Sequence, residues 1–230
     1  MLDFIFPNVC TFCESASKNG IVCDTCLADI EFMKGRAVCR RCGIPFVAES
    51  TPDHLCGRCL QEEFYFDKAR SVAFYDGLLR DMLHKFKYQG KLSFGSVLSR
   101  ILIQNFPDDF DAVDDIVPVP LYINRLRSRE YNQSVILGSH LAKHLTVSFN
   151  PFVLKRVRDT KPQFEIKSED ERRQNVKGAF SVLDSDKVRK KSILLIDDVF
   201  TTGSTIDECA RVLLKAGASQ VQAVTLMRAV

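Results

Sequence analysis

Residues 191–205, KSILLIDDVFTTGST, carry the strongest structural signal in this chain. Ile193, Leu194, Leu195 and Ile196 form an unbroken apolar run, which is typical of a parallel strand buried on both faces. Two acids follow where that strand should end, and small hydroxyl-rich residues then lead into a helical apolar pattern over 206–216. The segment therefore predicts a strand, an acidic edge, a loop and a helix, as in an α/β domain.

The loop after the two acids predicts an anion site. N–H groups at a helix start, with hydroxyls beside them, suit a phosphate, and Gly203 lets the backbone approach closely. The acids would repel a phosphate unless they face another part of the ligand, such as the vicinal hydroxyls of a sugar. The alternative is a structural role, in which the acids end a buried strand and a threonine caps the helix. The predicted ligand-binding residues are Asp197, Asp198, Thr201, Thr202, Gly203, Ser204 and Thr205.

Other nucleotide-binding signatures are missing from this stretch. It lacks the Gly-Lys-Ser/Thr of nucleoside triphosphatases and the Gly-x-Gly-x-x-Gly of dinucleotide-binding folds. Length and composition fit one α/β domain with a small module, since the chain has 230 residues and 46% of them are apolar. No apolar run approaches a membrane span, and the start of the chain lacks the basic region of a signal peptide. We therefore expect a cytoplasmic protein without a membrane span.

Eight of the nine cysteines form four Cys-x-x-Cys pairs within the first 59 residues: Cys10 and Cys13, Cys23 and Cys26, Cys39 and Cys42, and Cys56 and Cys59. Two residues between thiolates allow both sulfurs to bind one tetrahedral zinc ion, so eight ligands predict two structural zinc sites. Disulfides are disfavoured because nothing marks the chain as secreted. A redox role is also disfavoured, because redox-active Cys-x-x-Cys motifs do not occur in sets of four.

The spacing leaves the grouping of the ligands open. Sequential grouping closes shorter loops and costs less entropy, whereas interleaved grouping, as in cross-braced fingers, fits the same spacing. His54 is an alternative ligand because it lies two residues before Cys56, although we expect a solvated loop residue there. Cys209, alone on the helix after the loop, is predicted to be a small core residue.

The cysteines stop near residue 62, where we place a domain boundary. The zinc module then spans residues 1–62 and the second domain residues 63–230, so Cys39→Ser is expected to disrupt only the module. Hydrophobic patterns predict strands over 69–75, 115–120, 153–157, 179–182 and 221–227, and helices over 78–86, 92–106, 130–145 and 206–216. The polar residues 158–178 predict either a mobile active-site flap or a disordered tether.

Positive charge is concentrated in the middle of the chain. Residues 120–177 contain twelve Lys or Arg and six acids, whereas the whole chain has a net charge of +3. A basic segment favours an anionic ligand or a nucleic acid, although mixed-charge surfaces are common. The candidates for contacts with a nucleic acid are Arg125, Arg127, Arg129, Arg156, Lys161, Arg172 and Arg173. Arg125, Arg127 and Arg129 occupy alternate positions. Their side chains would lie on one side of an extended chain but would point in different directions on a helix.

Over nearly the whole chain, these segments resemble the competence protein F family. The resemblance is carried by the four cysteine pairs, Phe86-Lys87-Tyr88, Pro118-Val119-Pro120-Leu121, Tyr131-Asn132-Gln133, Arg156 with Thr160, Lys161 and Gln163, Glu171-Arg172-Arg173 with Asn175-Val176 and Gly178-Ala179-Phe180, and the loop after the acids. It implies a type I phosphoribosyltransferase fold, an open and mostly parallel sheet flanked by helices, after the zinc module. One departure is Glu130, where members usually have glycine.

The resemblance also implies a ligand, phosphoribosyl pyrophosphate (PRPP). Its ribose would bind the two acids and its 5′-phosphate the loop, with magnesium between the pyrophosphate and ribose oxygens. Lys87, Tyr88 and Gly90 become candidates for binding pyrophosphate; alternatively, basic residues there only stabilise the C-terminus of a helix. Thr201 stands where purine-salvage enzymes often have aspartate, which argues against ordinary base salvage.

The implied role is in natural transformation, where the protein handles incoming single-stranded DNA. Other DNA-uptake proteins, such as a helicase or a factor that handles single strands, are candidate partners. Two hypotheses follow. The protein is either a phosphoribosyltransferase with an unknown acceptor, or a non-catalytic protein that binds DNA or a partner and keeps the PRPP loop as a ligand sensor. Release of pyrophosphate would separate them.

Overall fold

The computed structural model describes residues 9–17, 21–46, 54–161, 166 and 168–229. Within them the helices are α1 (Asp24–Ala28), α2 (Gly57–Gln61), α3 (Gly77–Tyr88), α4 (Ser93–Gln104), α5 (Ile123–Arg129), α6 (Gln133–Leu145), α7 (Glu169–Val176) and α8 (Ser204–Lys215). The strands are β1 (Lys68–Phe74), β2 (Asp115–Pro118), β3 (Ser148–Phe149), β4 (Leu154–Arg156), β5 (Phe180–Val182), β6 (Ser192–Phe200) and β7 (Gln220–Arg228). None of these helices is long and apolar enough to cross a membrane.

Five parallel strands form the central sheet, in the order β1-β7-β6-β2-β3. β6 and β7 lie near its centre, and residues 193–196 are fully buried, as expected for a parallel strand covered on both faces. Helices α3, α4 and α6 cover one face, and α8 covers the other. This is the open parallel sheet flanked by helices that the sequence predicts.

The paired acids lie within β6 and not after it, which corrects the predicted strand end. β6 continues to Phe200 because its last residues still pair with β7, with Asp197 opposite Thr225 and Phe200 opposite Arg228. The apolar run alone suggests an end at Ile196, but backbone pairing does not depend on side-chain polarity. The two carboxylates therefore project from the carboxyl end of a central strand.

The prediction of a flap or tether over residues 158–178 is wrong for its second half, which forms α7. The Ser168 side chain caps α7 by accepting a hydrogen bond from the Glu171 N–H, and three acids in the first turn favour the helix dipole. Residues 162–165 and 167, which include the motif residue Gln163, lie outside the described part of the chain. The flanking strands β4 and β5 form a separate antiparallel pair.

The zinc module and the second domain share their hydrophobic cores. Cys10 belongs to the buried cluster around α3 and α4, and Cys39 belongs to the cluster around α8. A segment between the cysteine pairs also extends the sheet at β1, where the Met33 N–H donates to the Val72 carbonyl at 2.9 Å. Core packing and backbone hydrogen bonds thus cross the boundary predicted after residue 62.

Helix α5 carries the three alternate arginines. Arg125 and Arg129 lie one turn apart on a shared side, whereas Arg127 points elsewhere. The residue after α5, Glu130, adopts the left-handed conformation with φ of 66°. Glycine reaches this conformation without a steric cost, whereas Glu130 carries a Cβ there.

Candidate functional site

A cavity of about 670 Å³ opens at the carboxyl ends of β2 and β6. Ligands of open α/β sheets bind at this edge. We call one side of the cavity the loop wall; it is formed by the end of β6 and the loop that follows, residues 197–206. The opposite side, the helix wall, comes from α3 and α5 and is formed by Lys87, Tyr88, Arg125 and Arg129.

The two acids differ in their contacts. Asp198 forms an ion pair with Lys87 of the helix wall, with 2.8 Å between Oδ1 and Nζ, and both side chains are less than one-fifth exposed. Asp197 accepts a hydrogen bond from the Ser134 hydroxyl at 3.0 Å. Burial raises the pKa of Asp197 to about 7, and the negative charge of the neighbouring Asp198 adds to the rise. The Asp198 N–H, the Lys87 charge and the Ser134 hydroxyl lower the pKa but do not cancel this rise. Asp197 therefore titrates near neutral pH.

Ser134 contacts the candidate site, and sequence reasoning missed it. It lies in the first turn of α6, where the Asn132 side chain caps the helix by accepting the Ser134 N–H at 3.0 Å. Asn132 also donates to the Val119 carbonyl at 3.0 Å, which fixes the start of α6 against the cavity. The Asn132–Ser134 spacing is an N-cap signal, but only the fold shows that the Ser134 hydroxyl points at Asp197.

The loop residues divide into two sets. Thr201, Gly203 and Thr205 line the cavity, whereas Thr202 and Ser204 are buried and their hydroxyls bond each other at 2.8 Å. Gly203 has a φ of 80°, and a Cβ on it would lie 2.5 Å from the Phe200 ring, so the backbone conformation and the packing both require glycine. Helix α8 begins directly after it, and its first N–H groups, which have no intrahelical acceptor, lie at the cavity.

The predicted pyrophosphate residues are only partly assembled. Lys87 and Tyr88, at the end of α3, line the cavity. The Arg129 guanidinium lies 4.8 Å above the Tyr88 ring and donates to its hydroxyl at 3.0 Å, so it braces the ring from α5. Gly90 lies outside the cavity lining, beyond the end of α3, with a φ of 63°.

Three of the seven DNA candidates line this cavity: Arg125, Arg129 and Arg156. Arg156 is buried, and its guanidinium donates to the Thr160 hydroxyl. Burial lowers the pKa of Arg156, and the nearby Arg125 charge lowers it further. Together with Lys87, the four cations exceed the two acids of the cavity, which suits a ligand with several negative charges.

The other four DNA candidates do not join them. Arg127 is absent from the cavity lining, and Lys161 lines a separate shallow surface pocket. Arg172 donates to the Ile166 carbonyl at 2.9 Å, and Arg173 forms an ion pair with Glu62 at 2.5 Å. Position in the sequence alone does not show these contacts.

The predicted zinc ligands form two groups of four, in sequential order: Cys10, Cys13, Cys23 and Cys26, then Cys39, Cys42, Cys56 and Cys59. Sulfur–sulfur distances are 3.8 Å for Cys10–Cys26, 3.5 Å for Cys13–Cys23 and 3.7 Å for Cys42–Cys56. Four sulfurs at about 2.3 Å from one zinc ion lie about 3.8 Å apart, whereas a disulfide needs about 2.0 Å. Both groups therefore fit structural zinc. The exposed His54 lies outside them and stacks on Phe46, and Cys209 is buried in the core.

Comparisons with known proteins match both parts of the chain. Residues 1–60 match the double zinc ribbon domain, and residues 132–229 match the phosphoribosyl transferase domain. Competence protein F of Haemophilus influenzae is 32% identical over 240 residues, covering 100% of both chains. The DNA utilization protein YhgH of Escherichia coli is 32% identical over 96% of this chain and 97% of its own. Competence protein ComFC of Bacillus subtilis is 25% identical over 96% of this chain and 95% of its own.

Proposed function

This chain belongs to the competence protein F family, and from that premise we propose that it binds PRPP and acts in natural transformation. The relatives named for competence and for DNA utilization support the role. The phosphoribosyl transferase domain supports the ligand. We propose that the protein acts in the cytoplasm on incoming single-stranded DNA, whose phosphates the basic residues would bind.

The observation that carries the proposal is the loop wall. Two carboxylates at the end of β6 and a glycine-containing loop at the start of α8 lie in one cavity. Carboxylates accept hydrogen bonds from the ribose hydroxyls, and the helix start binds the 5′-phosphate. Four cations lining the same cavity would balance the pyrophosphate charge. Magnesium would arrive with PRPP and bind its oxygens, and Asp197 and Asp198 are the hard oxygen donors that suit this ion.

The test is calorimetric titration of PRPP with Mg²⁺ into the wild type and Asp197→Asn/Asp198→Asn. Charged acceptors to ribose hydroxyls contribute about 1.5–3 kcal/mol each, so the double variant should bind roughly two to four powers of ten more weakly. The fold should persist, because relief of the repulsion between the two adjacent carboxylates offsets the loss of the Lys87–Asp198 ion pair. Equal affinity in the two proteins would make the acids structural and remove the basis for a PRPP site.

Catalysis is one form of the proposal. A phosphoribosyltransferase would break the bond between C1 of the ribose and pyrophosphate and transfer the 5-phosphoribosyl group to an acceptor, mainly by positioning and electrostatic stabilisation of a cationic transition state. Incubation with PRPP and Mg²⁺, with and without single-stranded DNA, measures this directly. Pyrophosphate release that depends on DNA would identify the strand, or something bound to it, as the acceptor.

The second candidate is a PRPP-responsive protein without turnover. The Lys87–Asp198 ion pair favours it, because this contact joins the two walls across the position proposed for PRPP and a ligand must break or bridge it. Binding would then change the contact between the walls. In this case no pyrophosphate is released, yet PRPP changes the affinity for single-stranded DNA. Arg125, Arg129 and Arg156 predict competition, since the same cations would serve both anions.

A further inference from the structure

We propose that the second zinc ribbon, described over residues 37–46 and 54–61, is part of the ligand site and holds the loop wall in its binding conformation. Zinc in the second cluster and ligand in the cavity would then bind with positive linkage. The inference rests on the proposed PRPP site. It goes beyond that site because it assigns positioning roles to Arg58 and Arg228 and gives the two zinc clusters different functions.

The first connection runs from α2 to the loop. Arg58 lies on α2 between the zinc ligands Cys56 and Cys59, and its Nη1 donates to the Thr202 carbonyl at 2.8 Å. The Arg58 side chain is 25% exposed and also pairs with Glu169 at 2.6 Å. The acceptor is the peptide group immediately before Gly203, where the chain turns into α8. A residue next to two zinc ligands therefore holds the backbone of the loop directly.

The second connection runs through β7. The buried Arg228 donates from Nη1 to the Cys42 carbonyl at 2.6 Å, and its guanidinium lies 4.4 Å from the centre of the Phe200 ring. Gly203 packs on that ring so closely that even a Cβ would overlap with it. Arg228 and Phe200 are both buried. A shift of the Cys42 peptide would therefore displace the Arg228 side chain and the Phe200 ring on which Gly203 packs.

The first ribbon, described over residues 9–17 and 21–28, contacts α3 and α4. Its Phe12 ring lies 5.9 Å from Phe94 of α4, and the Lys85 ammonium of α3 lies 4.3 Å above the same ring. These are contacts with outer helices, next to the helix wall. Zinc in the first cluster should therefore stabilise α3 and α4 without fixing the loop.

Linkage is reciprocal, so it can be measured from either ligand. If zinc in the second cluster tightens PRPP binding, PRPP must tighten that zinc by the same factor. Coupling between two sites is commonly 5- to 150-fold. We expect PRPP to slow the release of one zinc ion by a factor in this range and to leave the other unchanged.

Arg36 provides a matched control for Arg58. Each guanidinium lies 5.0 Å above a phenylalanine ring, Phe74 for Arg36 and Phe64 for Arg58. Each also pairs with a glutamate, Glu31 for Arg36 and Glu62 for Arg58. Arg58 additionally bonds the Thr202 carbonyl and pairs with Glu169, so the difference between Arg58→Ala and Arg36→Ala reports on these two contacts together.

The experiment uses the full-length, zinc-loaded protein and a chromophoric zinc chelator, with Mg²⁺ present throughout. Zinc release is followed with and without PRPP, and PRPP affinity is measured separately by calorimetry. Wild type and Arg36→Ala should each show one of two release phases slowed by PRPP. Arg58→Ala should keep two zinc ions but lose the slowing, and its PRPP affinity should fall at least about fivefold. Arg58→Lys should restore part of both effects.

The possible outcomes separate the two proposals. If PRPP does not bind the wild type, the proposed ligand site is wrong and the linkage falls with it. If PRPP binds but slows neither phase, or slows both equally, the second ribbon is not coupled to the loop. If Arg58→Ala weakens PRPP binding yet keeps the selective slowing, Arg58 acts through its charge alone and is not a positioning residue.

Discussion

The two zinc ribbons are both built from two Cys-x-x-Cys pairs, but the pairs are separated by nine residues in the first and by thirteen in the second, and their surroundings differ. In the first cluster Cys13 is exposed and Cys26 is partly buried, whereas in the second cluster Cys39, Cys42 and Cys59 are all buried. The difference arises outside the motif. Two buried arginines of the sheet, Arg70 and Arg228, donate to the carbonyls of the knuckle at residues 39–42 and fix it in place. A repeated zinc motif is thus half buried at one position, where Cys10 and Cys23 are in the core, and mostly buried at another.

Each ribbon also lies behind a different wall of the cavity. The first packs near α3, which carries Lys87, and the second packs beneath the loop at residues 201–205. The Lys87–Asp198 ion pair is the contact where the two walls meet. Changes to the second ribbon should therefore act on the loop wall, and changes to Lys87 should act on the contact between the two walls.

The largest expected effect is on the free energy of unfolding, and it should differ between the two ribbons. Cys39→Ser should lower the free energy of unfolding by more than about 4 kcal/mol, because it removes a zinc ligand inside the shared core. Cys13→Ser, at an exposed ligand, should cost clearly less. This replaces the expectation from sequence that only the N-terminal module would unfold. Chemical denaturation with elemental analysis of zinc tests it, and an unchanged main transition in Cys39→Ser would show that the two parts fold independently.

The next effect concerns the joint between the walls. Lys87→Ala should weaken PRPP binding about ten- to a hundredfold, because an ammonium contact to a charged oxygen is worth about 1.5–3 kcal/mol. Lys85→Ala is the control, since Lys85 lies on the same helix but above the Phe12 ring of the first ribbon. Calorimetry measures both. A comparable loss in Lys85→Ala would mean that α3 as a whole, and not the Lys87 charge, determines affinity.

The sheet and the zinc ligands could be predicted from sequence because their signals are local. Cysteine spacing and apolar runs of period two or 3.6 are readable within a few residues. The end of β6 was misplaced because it depends on pairing with β7, which is distant in sequence. The helix at α7 was missed because its residues are almost all polar, and its cap at Ser168 is a weaker signal than the charge.

The site was predictable only in part for a similar reason. Asp197, Asp198 and the loop are contiguous, so their chemistry is visible in one segment. Ser134 and Arg58 act through contacts with partners 63 and 144 residues away. The arginine candidates for DNA were chosen by type and region, and the fold divides them between the cavity, a surface pocket and structural contacts.

A pH dependence should arise from the loop wall. The pKa of Asp197 is raised to about 7, so the folded state binds an extra proton between the ordinary aspartate pKa and 7. Fold stability should therefore fall as pH rises through this range. PRPP affinity should rise towards neutral pH, by at most about tenfold per unit, because the ionised carboxylate accepts the ribose hydroxyls.

The control for this pH dependence is Asp197→Asn. PRPP phosphate groups also titrate near pH 6, and this contribution remains in the variant. The difference between the two calorimetric profiles isolates the carboxyl group of Asp197. Parallel profiles from pH 5.5 to 8 would show that Asp197 does not titrate in this range or does not contact the ligand.

The smallest effect belongs to the helix wall. Glu130 ends α5 with a φ of 66°, a conformation that costs an L-residue about 1–2 kcal/mol. Glycine removes this cost but gains about 0.5–1 kcal/mol of freedom in the unfolded chain. Glu130→Gly should thus stabilise the fold by at most about 1.5 kcal/mol. Lys190→Gly, at a φ of 60° and outside the cavity lining, should do the same.

Neither change should alter the effect of PRPP on zinc release, because both leave Arg58 and the loop untouched. If Glu130→Gly abolished that effect, the helix wall would also be coupled to the second ribbon, and the division between the walls would be wrong.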